Sequence, residues 1–214
     1  IGAIKTGKYS RKNWIEKERN FDVFDIKNDA LRILNEIGID NSKMVVNNKT
    51  KKWYHPGRSG LLSLGSTSGP ELAYFGEIHP SIIKKLDLRT DNVLGFEIFL
   101  DNIPQSKKKI RETKPQFLIS DYQKVVRDFA FVVDDKYSSG EIISLVKKID
   151  KSLVREVKIF DVYQGDNIEV GKKSIAFNVT IEPKDKTLSD KDIEQISKKI
   201  ILAVQEATGA TLRS

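Results

Sequence analysis

From position 125 to the end of the chain, the spacing of hydrophobic residues switches repeatedly between two periods. Phe129, Phe131 and Val133 alternate with smaller side chains in a segment rich in branched and aromatic residues, which predicts a half-buried strand. Ser138 and Glu141 then stand three apart as a capping box, and Ile142, Leu145, Val146 and Ile149 recur along one helical face. Two further strands are predicted over Val154–Val162 and Ser174–Ile181, separated by the turn residues Gln164-Gly165-Asp166-Asn167 and by Gly171. A second helix starts after Ser189 as N-cap, with Asp192 in the first turn where the helix dipole favours a carboxylate. Ile193, Ile196, Ile200, Val204 and Ala207 are expected on its buried face, and Gly209 is expected to end it. The order is βαββαβ, with both helices on one face of an antiparallel sheet.

The first half has a different texture. Ile1-Gly2-Ala3-Ile4 is strand-like, and Phe21 to Asp25 reads as a short apolar-acidic segment. A helix is predicted over Asn28–Ile37, with Leu31, Leu34 and Ile37 on its face and Gly38 just beyond its end. Trp53 to Gly60 reads as a loop entering a strand at Leu61–Gly65; a short helix near Ser81–Leu86 and a strand over Gly95–Leu100 follow. Between the halves, Asn102 to Ser120 carries Pro104, Lys107-Lys108-Lys109 and Pro115, the composition of a linker. The expected organisation is an α+β protein with one domain over 1–104, a linker over 105–120 and a second domain over 121–214.

Two helices on one sheet face leave the other face open, and alternation predicts its occupants. Ile175, Phe177, Val179 and Ile181 should face the helices; Ser174, Ala176, Asn178 and Thr180 should face outward, with Lys158, Phe160, Asp128 and Ala130. A polar face with an aromatic ring and flanking cations suits single-stranded RNA, whose bases stack and whose phosphates need positive charge. The candidate RNA contacts are Arg127, Asp128, Lys158, Phe160, Tyr163, Lys172, Lys173, Ser174 and Arg213. Phe160 and Tyr163 have a second reading, as rings packed under a loop or a neighbouring domain. Asp128 has one as the partner of Arg127 in a local ion pair.

Composition sets the outer bounds. The 214 residues are enough for two ordinary domains, and 39% hydrophobic with 31% charged residues fits a globular protein. No apolar run approaches the roughly 20 residues that span a membrane, and no signal-peptide pattern opens the chain. With no cysteine there is no disulfide framework and no thiolate zinc site, and a reducing cytoplasm is compatible. The net charge of +7 is unevenly placed: the first 110 residues carry +6 and the remainder only +1. Overall charge therefore does not single out the second domain as a nucleic-acid reader.

Residues suited to catalysis are sparse. The only histidines, His55 and His79, each precede proline, and their spacing matches no zinc motif, so structural or capping roles are expected. Gly57-Arg58-Ser59-Gly60 lacks the spacing of a phosphate-binding loop and reads as a turn. No catalytic residue and no metal site is predicted.

Taken together, Arg127-Asp128, the run Phe160-Asp161-Val162-Tyr163-Gln164-Gly165, Gly171-Lys172-Lys173-Ser174 before a strand, Thr187-Leu188 before a helix and a terminal Leu212-Arg213 closely resemble one family. It is the ferredoxin-fold anticodon-binding domain that ends the beta subunit of bacterial phenylalanyl-tRNA synthetase. In the first half, FDVFDIKNDALRILNEIGI, YHPGRSG, GEIHPSIIKKLDL and FEIFLD look like the closing part of the catalytic-like module of that beta subunit. The resemblance covers nearly the whole chain in the expected order. It implies a fragment whose first domain is an incomplete class II synthetase-like antiparallel sheet that has lost catalysis, followed by a ferredoxin-like domain.

The resemblance also implies a role. In the parent enzyme the alpha subunit activates phenylalanine with ATP and magnesium, while this part contacts the alpha subunit and binds the anticodon region of tRNA(Phe). The fragment itself is expected to need no cofactor, and the parent to be a cytoplasmic heterotetramer of two alpha and two beta subunits. Two alternatives stay open: the end of a single-chain organellar synthetase, whose preceding arginine-bearing ATP motif has no counterpart between Gly57 and Leu100, and a module that uses its ferredoxin-like sheet for protein contacts only.

Overall fold

A computed structural model gives the structure of the protein and describes residues 1–90, 92–104, 120–183 and 187–213. Most of the expected linker, including Lys107 to Lys109 and Pro115, lies outside the described residues. The chain divides into two compact units, Ile1–Glu112 and Thr113–Ser214.

In the first unit, β1 (Gly2–Thr6), β4 (Met44–Asn47), β5 (Tyr54–Leu64), β6 (Glu71–Ile78) and β7 (Val93–Ile98) form an antiparallel sheet ordered β1-β7-β6-β5-β4. A separate short hairpin, β2 (Lys8–Ser10) with β3 (Arg19–Asn20), follows β1. Helix α1 (Val23–Glu36) starts five residues earlier than its apolar spacing predicts. The reason is local: Asp22 accepts from the backbone of Phe24 and Asp25, and the Asp25 carboxylate accepts from the Asp22 N–H, so the supposed apolar-acidic segment is a capping box. Ile26, Ala30 and Leu34 of α1 are fully buried against Leu72, Phe75, Leu94 and Phe96 on one sheet face. Tyr54, Leu61 and Tyr74 form a smaller cluster with Ile78 and Phe99.

Residues 53–60 also depart from expectation. Instead of a loop, Tyr54 onward is already strand: Tyr54 pairs with Ile78 and Ser59 with Gly76, with the extra residues bulged out between them. Pro56 cannot donate to a ladder and falls within that bulge, where no donor is needed. Helix α2 (Pro80–Lys85) begins on proline and is capped by His79.

The second unit has the predicted order β8 (Val125–Asp134), α3 (Ser139–Ile149), β9 (Val154–Tyr163), β10 (Lys172–Ile181), α4 (Asp190–Thr208) and β11 (Thr211–Leu212). The sheet is antiparallel, ordered β11-β8-β10-β9, which is the ferredoxin-like arrangement. Both helices carry complete capping boxes, Ser138 with Glu141 and Ser189 with Asp192. Gly209 ends α4 at φ 68°, a left-handed conformation that a side chain would strain. The core holds three mutually stacked rings, Phe129, Phe131 and Phe177, with centroids 5.8 to 6.4 Å apart. Ile142 and Val146 of α3 and Ile196, Ile200 and Val204 of α4 close over them. Ala207, expected on the buried face, is exposed; Ala210, beyond the glycine, is buried in its place.

Candidate nucleic-acid interface

The register of the second sheet decides which side chains share the face opposite the helices. Phe177 pairs with Phe129 and Ile175 with Phe131, all in the core, so the intervening pairs face away. Asn178 lies between Asp128 and Lys158, Ala176 between Ala130 and Asp161, and Ser174 between Val132 and Tyr163. Thr211 of β11 is paired with Val132, and the Arg213 backbone N–H donates to the Ala130 carbonyl oxygen at 2.8 Å, which extends this face to the far edge.

A β-bulge shapes the site. Ala176 pairs with Asp161 but Phe177 with Ile159, so Phe160 is the extra residue. Strict alternation from Lys158 would send Asp161 and Tyr163 toward the helices; the bulge turns both to the same face as Lys158. Phe160 is 57% exposed and lies outside the core, so no described loop of this unit covers it. Tyr163 is half-exposed, and its hydroxyl and ring edge rest over Gly165, where an added Cβ would lie 2.6 Å from the Tyr163 oxygen. The Arg213 guanidinium lies 6.0 Å from the centroid of the same ring, at the outer limit of cation–π attraction.

The charge on this face is mixed. Lys158 is 3.0 Å from Glu156 and Lys172 is 2.6 Å from Glu169. The hydrogen bond to Glu169 raises the Lys172 pKa, so the ammonium stays protonated. Asp128, Asp134, Glu156 and Asp161 share the face with Lys158, Lys172 and Arg213. Cation density therefore does not distinguish it; exposed aromatic groups beside amide and carboxylate acceptors do. Of the acidic members only Asp128 is expected from the sequence; Asp134 and Glu156 are not among the expected contacts, and Asp161 has no sequence signal because only the bulge brings it out.

Three expected contacts sit elsewhere. Ser174 points to the open face but is only 4% exposed, beneath the level of its neighbours. Lys173 pairs with Val133, a core position, so the pleat turns it to the helix side, and its Nζ donates to the Asp135 carbonyl at 2.9 Å. Arg127 pairs with the buried Val179 and likewise projects opposite to Asp128. Among the described residues, Arg127 and Asp128 form no ion pair with each other, because adjacent residues of a strand face opposite ways.

Among the described residues, the first unit offers no catalytic grouping of comparable definition. The His55 Nδ1 accepts from the Gly57 N–H at 3.0 Å, and the His79 Nδ1 caps α2 by accepting from the Ser81 N–H. Arg58 forms a bidentate pair with Glu77, and the Ser59 hydroxyl donates to the His55 carbonyl. Among the described residues, no group of three or more His, Cys, Asp and Glu is placed to hold a metal, and no helix is long and apolar enough to cross a membrane.

Comparison with known proteins follows the same division. Residues 1–100 match the family model of the phenylalanyl tRNA synthetase beta chain CLM domain, and residues 120–213 match that of the ferredoxin-fold anticodon binding domain. The chain is 42% identical over 212 residues to the phenylalanine–tRNA ligase beta subunit of Rhodospirillum rubrum, covering 99% of this chain and 26% of the relative. It is 42% identical over 200 residues to that of Bartonella quintana, covering 94% and 24%, and 39% identical over 214 residues to that of Rickettsia bellii, covering 100% and 24%. The chain thus spans about a quarter of the length of the curated relatives it matches.

Proposed function

Because this chain belongs to the phenylalanine–tRNA ligase beta-subunit family, carrying its CLM and anticodon-binding domains in order, we propose that it serves ATP- and magnesium-dependent charging of tRNA(Phe) in the cytoplasm without catalysing it. The second unit binds the anticodon region, and the first contacts the alpha subunit of a heterotetramer of two alpha and two beta subunits. The observation that carries the RNA reading is the open sheet face, where Phe160 and Tyr163 are offered for stacking beside Asp128, Asn178 and Lys158. Base–aromatic stacking draws on the π-face that every base presents, a contribution that does not itself require net positive charge in a unit that is nearly neutral. Lys172 and Arg213 are the phosphate contacts, and Ser174, paired with Tyr163, lies beneath the level of its neighbours. Arg127 and Lys173 reach only RNA that passes round the ends of the sheet.

The test is binding of a tRNA(Phe) anticodon stem-loop to the 214-residue chain, with Tyr163→Ala and Phe160→Ala. Each should cost roughly 1 to 3 kcal/mol if a base stacks there. Unchanged affinity in both variants would assign the face to something other than RNA. For the first unit, co-purification with the alpha subunit is the measurement, and a fragment that remains monodisperse and unassociated would overturn that half.

A further inference from the structure

We propose that the β2–β3 hairpin of the first unit is a second RNA-contacting element, separate from the sheet face, with Trp14 as its stacking platform. The base of the hairpin is firmly held. Arg19 forms two hydrogen bonds to the Asp25 carboxylate of α1, at 2.7 and 3.0 Å, and its guanidinium lies 3.7 Å from the centroid of the Tyr9 ring. Tyr9 in turn meets Phe21 edge-on at 5.5 Å, and Lys8 pairs with Glu18 across the arms. The tip is also built, since the Asn13 side chain accepts from the backbone N–H groups of Ile15 and Glu16, each at 2.8 Å. From this pinned support Trp14 projects 92% exposed and Ile15 72% exposed.

An exposed indole held at the tip of an ordered hairpin offers a flat stacking surface, and the surrounding charge indicates what it suits. Lys8 and Arg19 are occupied in holding the base, whereas among the described residues Arg11, Lys12 and Lys17 form no ion pair. Glu16 is the one acid at the tip outside such pairs. Three free cations around an indole complement a polyanion with flat bases better than they complement a protein surface, where lysine is depleted from interface cores. The first 110 residues also carry nearly all of the net positive charge, +6 of +7.

The experiment uses the 214-residue chain and a fluorescein-labelled oligouridylate of about twelve nucleotides, long enough for one single-strand site. In a Trp53→Phe background Trp14 is the sole tryptophan, so stacking should quench its emission in a saturable, salt-sensitive way. In the otherwise unaltered chain, Trp14→Ala should weaken binding about tenfold, and replacing Arg11, Lys12 and Lys17 with Ala should reduce the logarithmic salt slope by about 2. Quenching should persist when Phe160 and Tyr163 are both replaced by Ala, which separates failure of the hairpin from failure of the sheet face. Unchanged Trp14 emission at saturating oligonucleotide, unchanged affinity of Trp14→Ala, or quenching lost with the sheet-face variants would overturn the proposal. So would an emission change produced by the purified alpha subunit and not by RNA.

Discussion

Arg213 and Tyr163 come from opposite edge strands of the second sheet, yet the guanidinium of one lies 6.0 Å from the ring centroid of the other. Two strands separate β11 from β9, so the two side chains meet above the middle of the open face. Ser174, which stands next to Tyr163 in the register, is correspondingly buried. A base arriving on the ring must share it with the cation or displace it, so the pair presets where a stacked ligand sits.

Gly165→Ala tests that arrangement without touching either partner. Its Cβ would fall 2.6 Å from the Tyr163 hydroxyl and 2.9 Å from the adjoining ring carbon, so the ring must move. Anticodon stem-loop affinity should fall several-fold while stability changes by less than about 1 kcal/mol, the usual scale of a substitution outside the core. Titration calorimetry together with thermal unfolding distinguishes the two quantities, and a large stability loss with intact binding would contradict the assigned role.

Lys172 and Lys173 should behave differently despite being neighbours. Lys172 faces outward with Tyr163, whereas Lys173 turns to the helix side and donates to Asp135. Replacing Lys172 with Ala should reduce the logarithmic salt dependence of RNA binding by about 0.7, the increment for one phosphate on a single strand. Lys173→Ala should leave that slope nearly unchanged. Equal effects would mean that the RNA follows the sheet edge rather than its open face.

The first unit should lose stability in acid through Asp25. Its hydrogen bonds from Arg19 hold the carboxyl below its ordinary pKa, so folding favours the ionised form. That contribution is fully present above the unfolded value of about 3.9 and is lost as pH falls through the lower folded value. Unfolding midpoints measured from pH 6 downward should fall more steeply in the parent than in Asp25→Asn, whose curve starts lower at pH 6 and converges at the acid end. Parallel curves would remove Asp25 from the acid response.

The segment 115–214 should fold alone, since the core cluster formed by its described residues is drawn entirely from β8 to Ala210. A cooperative melt is expected. Phe177→Ala removes the ring that stacks on both Phe129 and Phe131 at 5.8 Å, and should cost about 3 to 5 kcal/mol. A noncooperative transition in the parent segment would place part of its stability elsewhere.

In the second unit, the element order, the Ser138–Glu141 capping box, the Ser189 N-cap, the Gly209 stop and the apolar strand faces are legible in the sequence alone, because caps and periodicity are local properties of the chain. It also carried the family resemblance that the comparisons bear out. The face of Tyr163 is set by strand pairing, since a one-residue bulge at Phe160 inverts every later side chain and arises from pairing with β10. The start of α1 was written in Asp22 and Asp25 but obscured by the apolar residues between and around them. Pairing across strands likewise separated Lys172 from Lys173, set acids among the expected cations, and brought Arg213 to Tyr163 across 50 residues of sequence. Spacing along a chain specifies which way a residue points within its own element; which residues meet depends on register, and register is fixed only when the strands pair.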